Sequence, residues 1–218
     1  FLGFSCHIGS QINTLSLFEM AWKWLLTTAK NAPFEVKHLD LGGGLGISYD
    51  DEKFPTLEAY AETIKKVFKG QPYKLGIEPG RSLLGPCAVL LTRVNTVKRR
   101  GKKIFYVVDA GMNDLIRPAL YAATHQALPV VQTRAATQRS TVVGPVCESA
   151  DTFLESVKLP PLTEGDLLAF NTAGAYGMSM SSQYNARPRA CEVLVDGLQY
   201  QMIRSRENYA DLIYHEKI

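Results

Sequence analysis

The sequence predicts an α/β unit followed by a second unit built mainly of antiparallel strands. Three observations carry this expectation. Strand-like and amphipathic helical runs alternate over residues 1–84. After Leu84 the pattern changes to short runs rich in β-branched and aromatic residues. The chain has 218 residues, 46% of them hydrophobic and 21% charged, enough for one large domain or two small ones with buried cores.

The elements follow in order. Leu2–Ile8 is apolar and strand-like, in the manner of a buried strand. Leu15, Phe18, Trp22, Leu25 and Ala29 keep helical spacing up to Asn31-Ala32-Pro33. Val36–Leu41 is the next strand and runs into Gly42-Gly43-Gly44. Leu57, Ala61, Ile64 and Phe68 mark a second amphipathic helix, stopped by Gly70. Tyr73–Ile77 is a third strand, ending at Glu78-Pro79-Gly80-Arg81. Strand, helix, strand, helix, strand implies a parallel sheet with right-handed crossovers. A closed eight-stranded barrel of this kind needs about 250 residues. Residues 1–84 are therefore expected to form the C-terminal part of a (β/α)8 barrel. The chain starts with Phe1 rather than Met, inside an apparent strand and with no basic n-region, so we expect the C-terminal portion of a longer polypeptide and no signal peptide.

In residues 85–218 the strand candidates are Val89–Val97, Lys103–Asp109, Thr141–Val146, Asp166–Phe170 and Arg189–Val195. Val195-Asp196-Gly197-Leu198 has the composition of a two-residue hairpin turn. Short helices are expected at Asn113–Thr124, interrupted by Pro118, at Asp151–Ser156 and at Glu207–Leu212. The expected architecture is a mainly antiparallel β-barrel or Greek-key-like domain.

Composition excludes several function classes. Lys plus Arg is 24 and Asp plus Glu 21, a net charge of +3, too slight a bias for a nucleic-acid or membrane-surface protein. No apolar run approaches the roughly 20 residues of a membrane-spanning helix. Cys6, Cys87, Cys147 and Cys191 lie far apart, with no CxxC pair. No disulfide framework or metal site is expected, and a reducing cytoplasm is the default compartment.

The residues with chemistry fall at strand ends and in loops. Gly42-Gly43-Gly44-Leu45-Gly46 follows a strand, so it is either a tight turn or a phosphate cradle in which backbone N–H groups approach an anion. Glu78-Pro79-Gly80-Arg81 ends the next strand, at the face where barrel enzymes carry their active sites. Its Glu and Arg form either a structural ion pair or a carboxylate and an anion clamp. His7-Ile8-Gly9-Ser10 ends the first strand at the same face. In the second unit, Cys147-Glu148-Ser149 offers a general acid, a nucleophile or an inert thiol, and an isolated cysteine is most often buried and inert. Ala173-Gly174-Ala175-Tyr176 brings a phenol into a small-residue loop that either meets a ligand or turns a corner.

Taken in order, His7-Ile-Gly-Ser10, Leu41-Gly-Gly-Gly44, Glu78-Pro-Gly-Arg81, Cys147-Glu-Ser149 and Ala173-Gly-Ala-Tyr176 resemble the pyridoxal-phosphate decarboxylases of the alanine-racemase-like fold. Ile116-Arg117-Pro-Ala-Leu-Tyr121 and the Glu148 after Cys147 make the resemblance closest to the diaminopimelate branch. In the ornithine branch the cysteine is typically followed by Asp. The resemblance extends to Arg206-Glu-Asn-Tyr-Ala-Asp-Leu212.

The resemblance implies decarboxylation of meso-2,6-diaminopimelate to L-lysine and CO2, the last step of lysine biosynthesis, with pyridoxal 5'-phosphate as cofactor. By the same resemblance, His7, Ser10, Gly43, Gly44, Glu78, Gly80, Arg81 and Tyr176 hold the cofactor. Arg81, Arg117, Tyr121, Glu148 and Tyr176 hold the substrate, and Cys147 is the proton donor. It further implies a homodimer in which Cys147 and Glu148 serve the partner's site. The Schiff-base lysine of the family lies in an early barrel strand, and neither Lys37 nor Lys74, each at the start of a strand, matches it. The alternatives are a related decarboxylase of ornithine, arginine or carboxynorspermidine, and a catalytically dead homologue that regulates a partner.

Overall fold

Three short parallel strands organise the N-terminal residues of the computed structural model, which describes residues 1–217. Two compact units result, Phe1–Cys87 and a second that starts at Ala88. In the first, β1 (Gly3–Ser5), helix α1 (Leu15–Lys30), β2 (His38–Asp40), helix α2 (Leu57–Phe68) and β3 (Lys74–Gly76) alternate as expected, and the sheet order is β1-β2-β3. Register is Phe4 beside Leu39 beside Leu75. A short helix, α3 (Arg81–Leu84), follows directly on β3's exit loop.

Helix α1 forms because Phe18, Trp22, Leu25 and Ala29 share one face, and all four are buried. They meet Leu39 and Leu41 from the sheet, with Tyr60 and Phe68 from α2. Phe18, Trp22 and Tyr60 form an aromatic trio with ring centroids 5.2–5.4 Å apart. Burial pushes the Tyr60 hydroxyl up to about 12. Helix α2 starts at Thr56, whose hydroxyl accepts from the Ala59 N–H, and stops before Gly70 at φ 70°. Phe1, Leu2 and Ile8, which flank β1, are exposed, and β1 is an edge strand of this three-stranded sheet.

The second unit holds β4 (Leu90–Arg100), β5 (Lys103–Val108), helix α4 (Arg117–Tyr121), β6 (Ala127–Pro129), β7 (Gln138–Val143), β8 (Thr152–Leu159), β9 (Leu167–Phe170), β10 (Glu192–Asp196), β11 (Gln199–Arg204) and helix α5 (Tyr209–Leu212). Six strands form one sheet in the order β6-β9-β4-β5-β7-β8. It is mixed, since β5 pairs with β7 in parallel and the remaining neighbours are antiparallel. Val94, Tyr106, Val108, Val142, Phe153, Leu168 and Phe170 make its core. The Tyr106 hydroxyl is satisfied inside that core by the Leu162 N–H and the Gln138 amide. Strands β10 and β11 form a separate hairpin across Gly197 and Leu198.

Three helix expectations change here for physical reasons. Residues Asp151–Ser156 are not helical; Thr152–Leu159 is strand β8, paired with β7. Register shifts in that pair and a positive φ at Ser156 break the period-two alternation that betrays a strand. The Asn113–Thr124 helix shrinks to Arg117–Tyr121, and Pro118 sits in its first turn, where a missing N–H costs nothing. The Glu207–Leu212 helix is Tyr209–Leu212, with a reciprocal cap between Asn208 and Asp211.

Candidate functional site

In the first unit, the loops after β1, β2 and β3 emerge at one end of the sheet and are stitched together by backbone bonds. The Cys6 N–H donates to Asp40 O, the Leu41 N–H to Gly76 O, and the Glu78 N–H to Gly42 O, at 2.9–3.0 Å. Glycines permit this approach: a Cβ on Gly43 would stand 2.3 Å from Glu78 O, and one on Gly42, at φ 70°, would stand 2.1 Å from Cys6 O. The Gly42 N–H donates to Asp40 Oδ1 at 2.8 Å, and the Gly43 N–H to His7 Nδ1 at 3.3 Å. His7 Nδ1 therefore accepts, which leaves its ring proton on Nε2.

Sequence reasoning missed two supports of this end. Gln11, at φ 57°, clamps the backbone of Ile47 in both directions, Oε1 accepting at 3.0 Å and Nε2 donating at 3.1 Å. That clamp fixes the loop carrying Ser10. Tyr49, buried, receives a hydrogen bond on its hydroxyl from Arg81 Nη1 at 2.8 Å, and Arg81 Nη2 donates to Ser10 Oγ at 3.1 Å. Arg81 thus turns to Tyr49 and Ser10. The Glu78 carboxylate, three residues before Arg81 in the same strand exit and exposed, joins no salt bridge among the described residues. A fixed guanidinium with an adjacent hydroxyl is the donor set of a phosphate site, and a nearby uncommitted carboxylate suits a protonated ring nitrogen. Those features fit pyridoxal phosphate. The Gly43 N–H is directed at His7. Lys74 opens β3 and Lys37 precedes β2, both at the sheet end opposite the glycines.

In the second unit, Cys147 and Glu148 are exposed in the loop between β7 and β8, so the buried reading of Cys147 does not hold. Buried Asp151 closes that loop, with Oδ2 accepting from the Val146 N–H and Oδ1 from the Met112 N–H, both at 2.7 Å. Burial pushes the Asp151 carboxyl up, against the pull of these two donors. The same carboxylate would lie 2.3 Å from a Cβ on Gly144, which explains that glycine. Tyr184, a residue sequence reasoning passed over, donates to Glu148 Oε2 at 3.4 Å. It also lines a cleft of 430 Å³ with Met112, Asn113, Ile116 and Ser182.

Arg117, next to Ile116, is 5% exposed, whereas Tyr121 at the other end of α4 is 61% exposed. Arg187 ties the preceding loop down, its Nε donating to Asn113 Oδ1 at 3.0 Å and its Nη2 to Asp109 O at 2.6 Å. Tyr176 is exposed at φ 61°, with Thr172 at φ 59° in the same loop. Non-glycine residues in this region cost about 1–3 kcal/mol each and collect at ligand sites. His7, Ser10, Gly43, Gly44, Glu78, Gly80 and Arg81 are therefore together in the first unit. Arg117, Tyr121, Cys147, Glu148 and Tyr176 are all in the second.

Comparison with known proteins agrees with these motifs. The family model "Pyridoxal-dependent decarboxylase, C-terminal sheet domain" matches residues 18–174. Diaminopimelate decarboxylase of Neisseria meningitidis serogroup B is 48% identical over 218 residues, covering 99% of this chain and 52% of that protein. The structure of diaminopimelate decarboxylase from Helicobacter pylori complexed with L-lysine superposes with a TM-score of 0.90 at 38% identity, over 98% of this chain and 54% of that one. The structure of diaminopimelate decarboxylase from M. jannaschii in co-complex with L-lysine gives a TM-score of 0.91 at 36% identity, over 100% of this chain and 52% of that one. The chain spans about half the length of the curated relatives it matches. No helix among the described residues is long and apolar enough to cross a membrane.

Proposed function

The chain belongs to the pyridoxal-dependent decarboxylases, and on that premise we propose that the protein decarboxylates meso-2,6-diaminopimelate to L-lysine and CO2. The observation that carries this reading is Arg117. A guanidinium 5% exposed, in the segment Ile116-Arg-Pro-Ala-Leu-Tyr121, has a use when the substrate brings a second carboxylate. Ornithine has none to offer, and relatives named for the diaminopimelate reaction share 42–48% identity with this chain. The retained Cys147 and cofactor motifs speak against a dead regulatory homologue.

Pyridoxal phosphate, when bound, supplies the electron sink that makes loss of CO2 from an amino-acid Cα feasible. In this proposal Ser10 and Arg81, with the Gly44 and Gly80 backbone, bind its phosphate. Gly43 leaves room and orients His7, which packs on the ring. Glu78 holds a proton at the ring nitrogen. Arg117 and Tyr121 bind the distal carboxylate, Glu148 binds the distal ammonium, and Tyr176 and Arg81 border both ligands. Cys147 Sγ gives a proton to the substrate Cα after CO2 has left. Residues 1–84 form part of a (β/α)8 barrel, a reading supported by exposed apolar residues in and beside the sheet, among them Leu2, Leu75 and Ile77. Residues 85–218 form the C-terminal β domain. The enzyme is a cytoplasmic homodimer in which Cys147 and Glu148 act on the partner's substrate. The free state of all four cysteines fits a reducing compartment.

The test is product analysis with full-length enzyme and pyridoxal phosphate. Equimolar CO2 and L-lysine from meso-diaminopimelate are expected. No turnover of that substrate, with CO2 released from ornithine or arginine, would overturn the proposal.

A further inference from the structure

Beyond the sheet of the first unit, the exit loops of β1 and β2 stay side by side. Ile12 and Leu45 form a parallel bridge, in which the Ile12 N–H donates to Gly44 O at 2.9 Å and the Gly46 N–H to Ile12 O at 3.1 Å. Gln11 extends this pairing with its side chain. Its Oε1 accepts from the Ile47 N–H at 3.0 Å, and its Nε2 donates to Ile47 O at 3.1 Å. The amide takes the place of a backbone peptide unit. Its orientation is fixed, since a flipped amide would set donor against donor and oxygen against oxygen. The Gln11 backbone stands at φ 57°, in the left-handed region that a residue with a Cβ rarely adopts and that collects at ligand sites. Glycine there would remove the strain and the clamp together.

The clamp lies between two hydroxyls that meet one guanidinium. Ser10 directly precedes Gln11, and Tyr49 follows Ile47 by two residues. Ser10 Oγ accepts from Arg81 Nη2 at 3.1 Å, and the Tyr49 hydroxyl accepts from Arg81 Nη1 at 2.8 Å. These acceptors belong to different loops. A planar guanidinium has its donors at fixed separations, so both bonds form only when the two loops keep their spacing.

We propose that Gln11 is a positioning residue for the cofactor's phosphate. By holding the loop of Ser10 to the loop of Tyr49, it sets the separation of the two hydroxyls and with it the place of Arg81 beside Ser10. This rests on the reading of Ser10 and Arg81 as the phosphate site. A residue that acts in this way strengthens the binding of a phosphorylated cofactor and leaves the grip on the ring unchanged.

Pyridoxal has the ring of pyridoxal phosphate without the phosphate, and comparing the two separates positioning from general support of the fold. Full-length protein freed of cofactor is titrated with each, and the absorbance of the bound cofactor gives the two dissociation constants. Gln11→Met keeps the length of the side chain and removes both hydrogen bonds. Its dissociation constant for pyridoxal phosphate should rise about 10-fold, the scale of two ordinary hydrogen bonds. Its constant for pyridoxal should hardly change. An equal rise for both compounds would mean general loosening and would overturn the proposal. Arg81→Ala is the control: a wild-type preference for pyridoxal phosphate over pyridoxal in that variant overturns the phosphate site itself. A lost preference in Arg81→Ala, together with wild-type constants in Gln11→Met, overturns the role of Gln11 alone. Should Gln11→Met not fold, Gln11→Gly decides, because glycine adopts φ 57° without strain. The same selective loss there supports the proposal, and wild-type constants overturn it.

Discussion

Cys147 shows how far one residue's type can mislead. A solitary cysteine flanked by Val146 and Glu148 reads as a buried thiol, because free cysteines are among the most buried residues. The structure exposes it, in a loop whose Val146 N–H is held by Asp151. The carboxylate's choice of donors, one of them Met112 N–H 39 residues away, is not written in the local sequence. The same holds for Tyr49 and Gln11, whose partners are 32 and 36 residues away. His7, Ser10, Glu78 and Arg81, in contrast, were legible from position alone, because residues just past a parallel strand share one end of the sheet. An exposed thiol used as a positioned proton donor has a kinetic signature. Cys147→Ala should lower kcat by about 10²–10⁴-fold while pyridoxal phosphate binding, followed by cofactor absorbance, is unchanged. A kcat equal to wild type would make Cys147 dispensable.

Among elements, α1 and α2 were readable because a 3.6-residue period over 16 and 12 residues leaves little alternative. Strand β8 was not, because its bulge disrupts the two-residue period. Glu207, between β11 and α5, ties that segment to the one that precedes β10. Glu207 accepts from the Arg189 N–H and from Gln183, at 2.9 and 3.0 Å, and pairs with the Arg189 guanidinium. The Arg189 backbone bond first, then the Gln183 and Arg189 side chains, pull its carboxyl from 4.5 down to about 2. A folded-state value below the unfolded one stabilises above the unfolded value and loses that contribution as pH falls through the folded one. Glu207→Gln should therefore be less stable than wild type at pH 7. Urea midpoints should show the gap narrowing between pH 4.5 and pH 2. A gap constant with pH would assign the loss to packing rather than to charge.

At the scale of the whole molecule, the two-unit division is a consequence of two separate hydrophobic clusters, one built on α1, the other on the mixed sheet. The sequence announced both through the change of period after Leu84, but not the parallel pairing of β5 with β7, which depends on contacts about 36 residues apart in register. If Cys147 and Glu148 serve the partner's substrate, activity depends on association. A Cys147→Ala chain mixed with a chain lacking its Schiff-base lysine should regain activity through heterodimers. Confirmed subunit exchange without recovery would show that each copy works with its own Cys147. Substrate choice turns on the distal carboxylate, and its most direct measurement is kcat/KM of the full-length holoenzyme for meso-diaminopimelate, L-ornithine and L-lysine. A preference for diaminopimelate of at least about 10²-fold is expected, since a buried guanidinium left without its carboxylate costs a few kcal/mol. Comparable values for ornithine and diaminopimelate would contradict it.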